Sequence, residues 1–314
     1  MSGKLLISTS RFGAEDAEAL RRLKEAGVEY ILNPFHRRLT TVELIDLLAG
    51  VEYLIAGVEA ITEEVFKKNP QLKLIVRCGT GMDNVDLQSA RKYGVAVEST
   101  PEAPVLSVAE LTMGLILNVL RSISQSDWAV RSGSWPKPMG NLLTGKTVGI
   151  LGLGRIGRKV VELLKPFSVD ILGYDVVQDE EFADRHKIKF VSLDKIFQCS
   201  DVVTIHLPLN EQTRHLVDSE RLSLMKSKAV LINVARGGIV DEDALADCLK
   251  HKRISAAALD VFEQEPYQGQ LTQIDNVVLT SHIGSYAIET RIQMENQAVD
   301  CVLEFIRTQE KQFA

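Results

Sequence analysis

The chain has 314 residues, of which 45% are hydrophobic and 25% charged, with a formal net charge of -6. That balance excludes a disordered chain and predicts about two globular domains. The acidic excess argues against a general nucleic-acid binder, which carries a basic face.

The N-terminal stretch MSGKLLISTSRFG turns polar too soon for a signal peptide. Short apolar runs then start at Lys4 (KLLIST), Val28 (VEYILN), Val51 (VEYLIAG), Leu72 (LKLIVRCG) and Val95 (VAVEST). Helix-like stretches such as EDAEALRRLKEAG and TTVELIDLLAG lie between them, and Gly27, Gly50 and Gly94 stand where helices end. Strands alternating with amphipathic helices predict βαβ units and a parallel sheet. One long helix is expected over about 105–131. Its most apolar run, 111–120, is interrupted by Thr112 and Asn118. That run is too short to span a bilayer and reads as a buried helix, so no membrane association is expected.

The rhythm restarts at Thr147, with strands predicted over 147–152, 169–175, 201–207, 229–235, 254–261 and 276–282. These define a second parallel sheet. Residues 286–306 read as one amphipathic helix, which would pack back on the first domain and make that domain discontinuous. The four cysteines, Cys78, Cys199, Cys248 and Cys301, show neither a CxxC pair nor metal-ligand spacing. They predict reduced thiols, no metal site and a cytoplasmic setting.

In TVGILGLGRIGRKVVELL, Gly152, Gly154 and Gly157 form G-x-G-x-x-G. The motif alone is weak, but here it follows a strand and opens a helix. Gly152 permits the tight turn, Gly154 lets backbone approach a pyrophosphate, and Gly157 allows close helix–strand packing. The helix N-terminus offers free N–H groups to phosphate. Asp175 ends the next strand, where a carboxylate binds ribose hydroxyls and repels a 2′-phosphate; NAD is the expected cofactor.

Three later strand ends carry Arg236, Glu265 and His282. Ligands of open α/β sheets bind outside the carboxyl ends of strands. An arginine fork can hold a carboxylate, a histidine can exchange a hydroxyl proton, and a glutamate can orient that histidine and favour its protonated form. Each residue taken singly also fits a structural role. Together, behind a cofactor fingerprint, they predict hydride transfer at C2 of a small 2-hydroxy or 2-keto acid.

These motifs, with GTGMDNVDL, INVARGGIVDEDAL, ALDVFEQEP and SHIGS, make nearly the whole chain resemble the D-isomer-specific 2-hydroxyacid dehydrogenases, closest to the phosphoglycerate dehydrogenase branch. The resemblance implies two Rossmann-like α/β domains, usually in a homodimer. An NAD domain (101–285) would be inserted into a smaller, flavodoxin-like substrate domain (1–100 with 286–314). It implies that Asp260 contacts the nicotinamide amide and that Arg155, Ile156, His206 and Pro208 line the cofactor. Thr80 and Gly81 would cradle the substrate carboxylate, and Arg77 would bind a substrate phosphate. The implied substrate is 3-phosphoglycerate, which would place the chain in serine biosynthesis. Glyoxylate, hydroxypyruvate or another 2-hydroxy acid is the alternative, and an NAD-sensing corepressor-like binding protein is a third reading.

The chain departs from the pattern at Gly57, where a second phosphate-binding arginine is often found. Lys137, Arg37 or Arg38 are candidates to replace its charge. Glu102 and Tyr286 are bulkier than usual, and no C-terminal regulatory domain is expected.

Overall fold

The computed structural model describes residues 3–312. The chain divides into two compact units. Unit 1 takes the residues up to Pro104 and again from Ser285, and unit 2 takes Val105–Gly284.

Unit 1 runs β1 (Leu5–Ile7), α1 (Glu18–Glu25), β2 (Tyr30–Leu32), α2 (Thr41–Leu47), β3 (Tyr53–Ala56), α3 (Glu63–Lys68), β4 (Leu74–Arg77), α4 (Leu87–Lys92) and β5 (Ala96–Ser99). Its strands pair in parallel in the order β2-β1-β3-β4-β5. Because side chains alternate along a strand, the central strands are apolar at every position. Leu5, Ile7, Ile55, Leu74 and Val76 face one core and Leu6, Leu54, Ala56 and Ile75 the other. The second core is closed by Leu44, Val65 and Phe66 from α2 and α3. Helix α2 begins where Thr40 and Glu43 exchange hydrogen bonds in a capping box, which satisfies two backbone donors that a helix start leaves open.

Unit 2 runs α5 (Pro104–Arg121), α6 (Ile123–Arg131), β6 (Thr147–Leu151), α7 (Arg155–Leu164), β7 (Asp170–Tyr174), α8 (Glu180–His186), β8 (Ile188–Phe190), α9 (Leu193–Cys199), β9 (Val202–Ile205), α10 (Ser219–Leu224), β10 (Val230–Asn233), α11 (Glu242–Lys250), β11 (Ala256–Leu259) and β12 (Val277–Leu279). The seven parallel strands lie in the order β12-β11-β10-β9-β6-β7-β8. Val148, Ile150, Val202, Val230 and Ile232 pack under α5 and α7, whereas Leu151, Val203, Ile205 and Leu231 pack against α9, α10 and α11. The last helix, α12 (Ile288–Gln312), belongs to unit 1, where Met294, Ala298, Val299 and Val302 join Leu5, Ile7 and Val76 in one core.

The structure corrects the sequence reading at three places. The long helix expected over 105–131 breaks at Ser122, which is left-handed at φ 51°. The cause is Asn118, whose side chain accepts from Ser124 N at 2.9 Å and donates to Ser124 Oγ at 2.7 Å, offering the chain an alternative to helical bonds. The Leu120 carbonyl left over is taken by Asn141 N at 2.8 Å. Second, α5 has 18 residues, so by length and composition it meets the minimum for a membrane span, which the shorter apolar run did not. Half of it is buried, with Ala109, Ile116 and Leu120 inside the core of unit 2. Third, the three-residue edge strand β8 has no counterpart among the predicted strands.

Candidate active site

The parallel sheet of unit 2 brings the motif residues to one edge. The glycine motif follows β6, Asp175 follows β7 and His206 follows β9. Arg236, Glu265 and His282 follow β10, β11 and β12. Strands β6 and β9 are neighbours from which the chain departs in opposite directions, so they form the topological switch point where dinucleotides bind.

The turn between β6 and α7 is shaped by its glycines. Gly152 has φ +95°, and a Cβ there would come within 2.6 Å of the His206 carbonyl oxygen. A Cβ at Gly157 would lie 2.0 Å from the Gly152 carbonyl oxygen. At Gly154, by contrast, a Cβ would meet nothing within 4 Å: the helix start lies open. Gly154 caps α7 and has no side chain to fill the space before this ten-residue helix, whose N-terminus is the positive end of its dipole and suits a phosphate. Asp175 Oδ2 accepts from Leu153 N at 2.6 Å and Oδ1 from Val177 N at 3.1 Å, which fixes the carboxylate at the strand end. Arg158 braces the turn, donating to the Leu153 carbonyl at 2.9 Å and to Asp179 at 2.8 Å while lying over Phe182.

His206 places Nε2 3.0 Å from Thr204 Oγ1, and its buried Nδ1 has no partner among the described residues. Burial pushes the imidazole down to about 3, so the ring is neutral at physiological pH. An orphaned ring nitrogen at the switch point and an open helix start both fit an NAD dinucleotide. Arg155 and Pro208 are exposed nearby in the chain, and Ile156 is half-buried against the core.

His282 and Glu265 meet directly. Nδ1 lies 2.9 Å from Oε2 and 3.1 Å from Oε1 of Glu265, whose Oε1 also accepts from Phe262 N at 3.1 Å. With Nδ1 committed, Nε2 is the nitrogen left for a substrate. His282 has φ 56°, an uncommon conformation for a residue with a side chain. It is held there because His282 N donates to the Asp260 carbonyl at 2.8 Å.

Asp260 does more than the sequence indicated. Its carboxylate, 1% exposed, accepts from Thr280 Oγ1 at 2.6 Å, Ile283 N at 2.8 Å and Gly284 N at 2.9 Å. It therefore anchors the loop that carries His282. An aspartate closing an apolar strand gives this away only when the tertiary partners are known. Glu242 is a second residue not singled out from sequence. Its carboxylate, raised by burial and by the neighbouring Glu263 and Glu265, accepts from Glu263 N at 2.7 Å and fixes the segment leading to Glu265. Arg236 donates to the Ala235 carbonyl at 2.6 Å, and its own carbonyl accepts from Asn233 Nδ2 at 2.9 Å, so the turn is closed on itself.

In unit 1, Arg77 is the last residue of β4. It approaches Asn84 Oδ1 at 3.4 Å and donates to the Cys78 carbonyl. Thr80 is exposed, its hydroxyl 3.4 Å from the Pro101 carbonyl, and Gly81 follows it. Of the candidates for extra charge, Arg37 is paired with Glu43 through both terminal nitrogens, at 2.9 and 2.6 Å, and Arg38 and Lys137 are exposed.

The parallel sheets and the glycine turn define an NAD-binding α/β enzyme class, and comparison with known proteins narrows it. Residues 113–284 match the family D-isomer specific 2-hydroxyacid dehydrogenase, NAD binding domain. A D-3-phosphoglycerate dehydrogenase of Methanocaldococcus jannaschii is 39% identical over 87% of this chain, which spans 52% of that protein's length. A glyoxylate reductase of Pyrococcus horikoshii is 36% identical over 91% of both chains. A D-lactate dehydrogenase of Aquifex aeolicus, solved with NAD and lactic acid, superposes with a TM-score of 0.86 at 28% identity, covering 98% of this chain and 97% of the other. The chain belongs to the NAD-dependent D-isomer specific 2-hydroxyacid dehydrogenases.

Proposed function

We propose that the chain interconverts a short D-2-hydroxy acid and its 2-keto acid. Bound NAD supplies or accepts the hydride at C2. Arg236 holds the substrate carboxylate in its guanidinium fork, and His282 exchanges the proton of the C2 oxygen through Nε2. Glu265 fixes the ring through Nδ1. Asp260 positions the histidine loop and, in the family manner, is offered to the nicotinamide amide. In unit 1, Thr80 and Gly81 offer backbone N–H groups of the kind a carboxylate accepts from. The observation that carries this reading is the His282–Glu265 pair, held at 2.9 Å in a strained loop that simple cofactor binding has no need of.

The phosphorylated substrate, and with it serine biosynthesis, rests on Arg77 alone, because Gly57 replaces the second arginine. The buried Glu59 beside Gly57 favours the unphosphorylated substrates, glyoxylate and hydroxypyruvate. NADH oxidation across a panel of 2-keto acids tests the proposal, and silence with every member of the panel removes it.

We further propose a homodimer in the cytoplasm. The dimer is supported by Trp128, Trp135, Met139 and Leu142, large apolar side chains exposed on one segment of unit 2. The cytoplasmic setting is supported by four cysteines held as free thiols.

A further inference from the structure

Arg236 and Glu265 follow neighbouring strands of the unit 2 sheet, β10 and β11, and the two segments meet again beyond the strand ends. The segment that carries Arg236 runs through Gly237 to Asp241, which caps α11 by accepting from Ala244 N at 2.9 Å. Glu242 is the first residue of that helix. His215 N donates to the Gly238 carbonyl at 2.7 Å, and Asp241 N to the Val217 carbonyl at 3.0 Å. These bonds fix the course of the segment without help from the loop that carries Glu265.

Two contacts join the segments. A Cβ at Gly237 would lie 1.9 Å from both the carbonyl carbon and the carbonyl oxygen of Phe262, and 2.4 Å from Glu263 N, so only glycine lets the two backbones approach this closely. Further along, the Glu242 carboxylate accepts from Glu263 N at 2.7 Å. The preceding N–H, that of Phe262, is taken by Glu265 Oε1 at 3.1 Å, and the same carboxylate holds His282 Nδ1. Adjacent backbone N–H groups thus bind the Glu242 and Glu265 carboxylates, while the Glu263 side chain is engaged separately by Arg214. Burial and the like charges of Glu263, Asp243 and Glu265 raise the Glu242 carboxyl above its ordinary value, with the Glu263 N–H pulling the other way. A negative charge is poorly placed here, and what the position uses is the reach of an acceptor oxygen.

We infer that Glu242 is a positioning residue for the proton-transfer pair: through the Glu263 N–H, and beside the close contact at Gly237, it fixes Glu265 and with it His282 relative to Arg236. The inference rests on the dehydrogenase reading above. Glu242 acts on the reaction only through Glu265. A carboxylate steadies an imidazole only at the right distance, and misplacement on the order of 1 Å can cost about a hundredfold in rate. The clamp ties the loop of the substrate-holding arginine to the loop of the proton-transfer pair, so the two cannot drift apart independently.

The test measures kcat and the KM for NADH, with the 2-keto acid that the wild type reduces fastest, in Glu242→Ala, Glu242→Asp and Glu242→Gln. Alanine removes the acceptor, aspartate keeps the charge but shortens the reach, and glutamine keeps the reach without the charge. Glu242→Ala and Glu242→Asp are expected to lower kcat about tenfold or more at nearly unchanged KM for NADH, and Glu242→Gln to stay within about twofold of the wild type. Placed in a Glu265→Ala background, Glu242→Ala should cost less than about twofold, because no carboxylate is left to position. Wild-type kcat in Glu242→Ala, a KM for NADH that rises as far as kcat falls, rescue by aspartate rather than glutamine, or the full loss repeated in the Glu265→Ala background overturns the inference and leaves the dehydrogenase reading standing. If Glu242→Ala does not fold, the other two variants decide alone, and equal kcat in Glu242→Asp and Glu242→Gln overturns the inference. A wild type that oxidises NADH with no 2-keto acid of the panel overturns both.

Discussion

His282 is held by the fold itself, because its backbone is pinned by Asp260 and its Nδ1 by Glu265. His282→Ala should therefore lower kcat by about 100- to 10,000-fold with little change in KM for NADH. Unchanged kcat in steady-state assays would take the histidine out of the reaction. Glu265→Gln should be milder, lowering kcat with little change in KM for NADH, since it loosens the hold on the ring at Nδ1 and leaves the imidazole in place. Wild-type kcat in Glu265→Gln would break that pairing. Asp175 is also poised, with both oxygens anchored by backbone N–H groups. Asp175→Ala should weaken NADH binding and relax discrimination against NADPH, read as the ratio of kcat/KM for the two cofactors. The types and positions of these residues were legible in sequence, because a strand end and a motif identify them. Glu59 and Asp260 were not, because their importance lies in partners far away in the chain.

Among the elements, α12 is tied to unit 1 by more than apolar packing. Glu295, 2% exposed, accepts from Gly13 N at 2.8 Å and from Arg291 at 3.1 Å, clamping the loop before α1. Burial raises its carboxyl above the ordinary value of 4.5, with the Gly13 hydrogen bond and Arg291 pulling the other way. The folded state thus holds this proton more tightly than the unfolded chain, so ionisation costs stability as pH rises from about 4.5 through the raised value. Glu295→Gln has no proton to lose, so its melting temperature relative to wild type should climb across that interval and then level off. A difference that is flat with pH would show that Glu295 is not raised. The helix itself was legible from its amphipathic pattern. The break at Ser122 was not, because it depends on which way the Asn118 side chain turns.

For the molecule as a whole, the exposed segment of unit 2 sets the expected assembly. Trp135 is 76% and Met139 95% exposed, more apolar surface than a segment standing alone would keep in water. Trp135→Glu places a charge in the proposed interface and should shift the mass measured by light scattering from dimer to monomer. A wild type that already runs as a monomer would remove the dimer.

Local patterning determined much of this protein. Apolar runs spaced by amphipathic helices dictate parallel sheets, since strands buried on both faces must be apolar throughout. The glycine spacing dictates the cofactor turn, and strand ends mark where polar side chains gather. These are near-neighbour properties, readable along the chain. The tertiary structure alone decided which strands lie beside which, and hence that β1 and β3 bring Ser8 and Thr9 to Gly57 and Glu59. It also decided that one carboxylate, Asp260, anchors the histidine loop. Such effects are set by distance and burial in three dimensions, where the strength of a charge depends on what surrounds it.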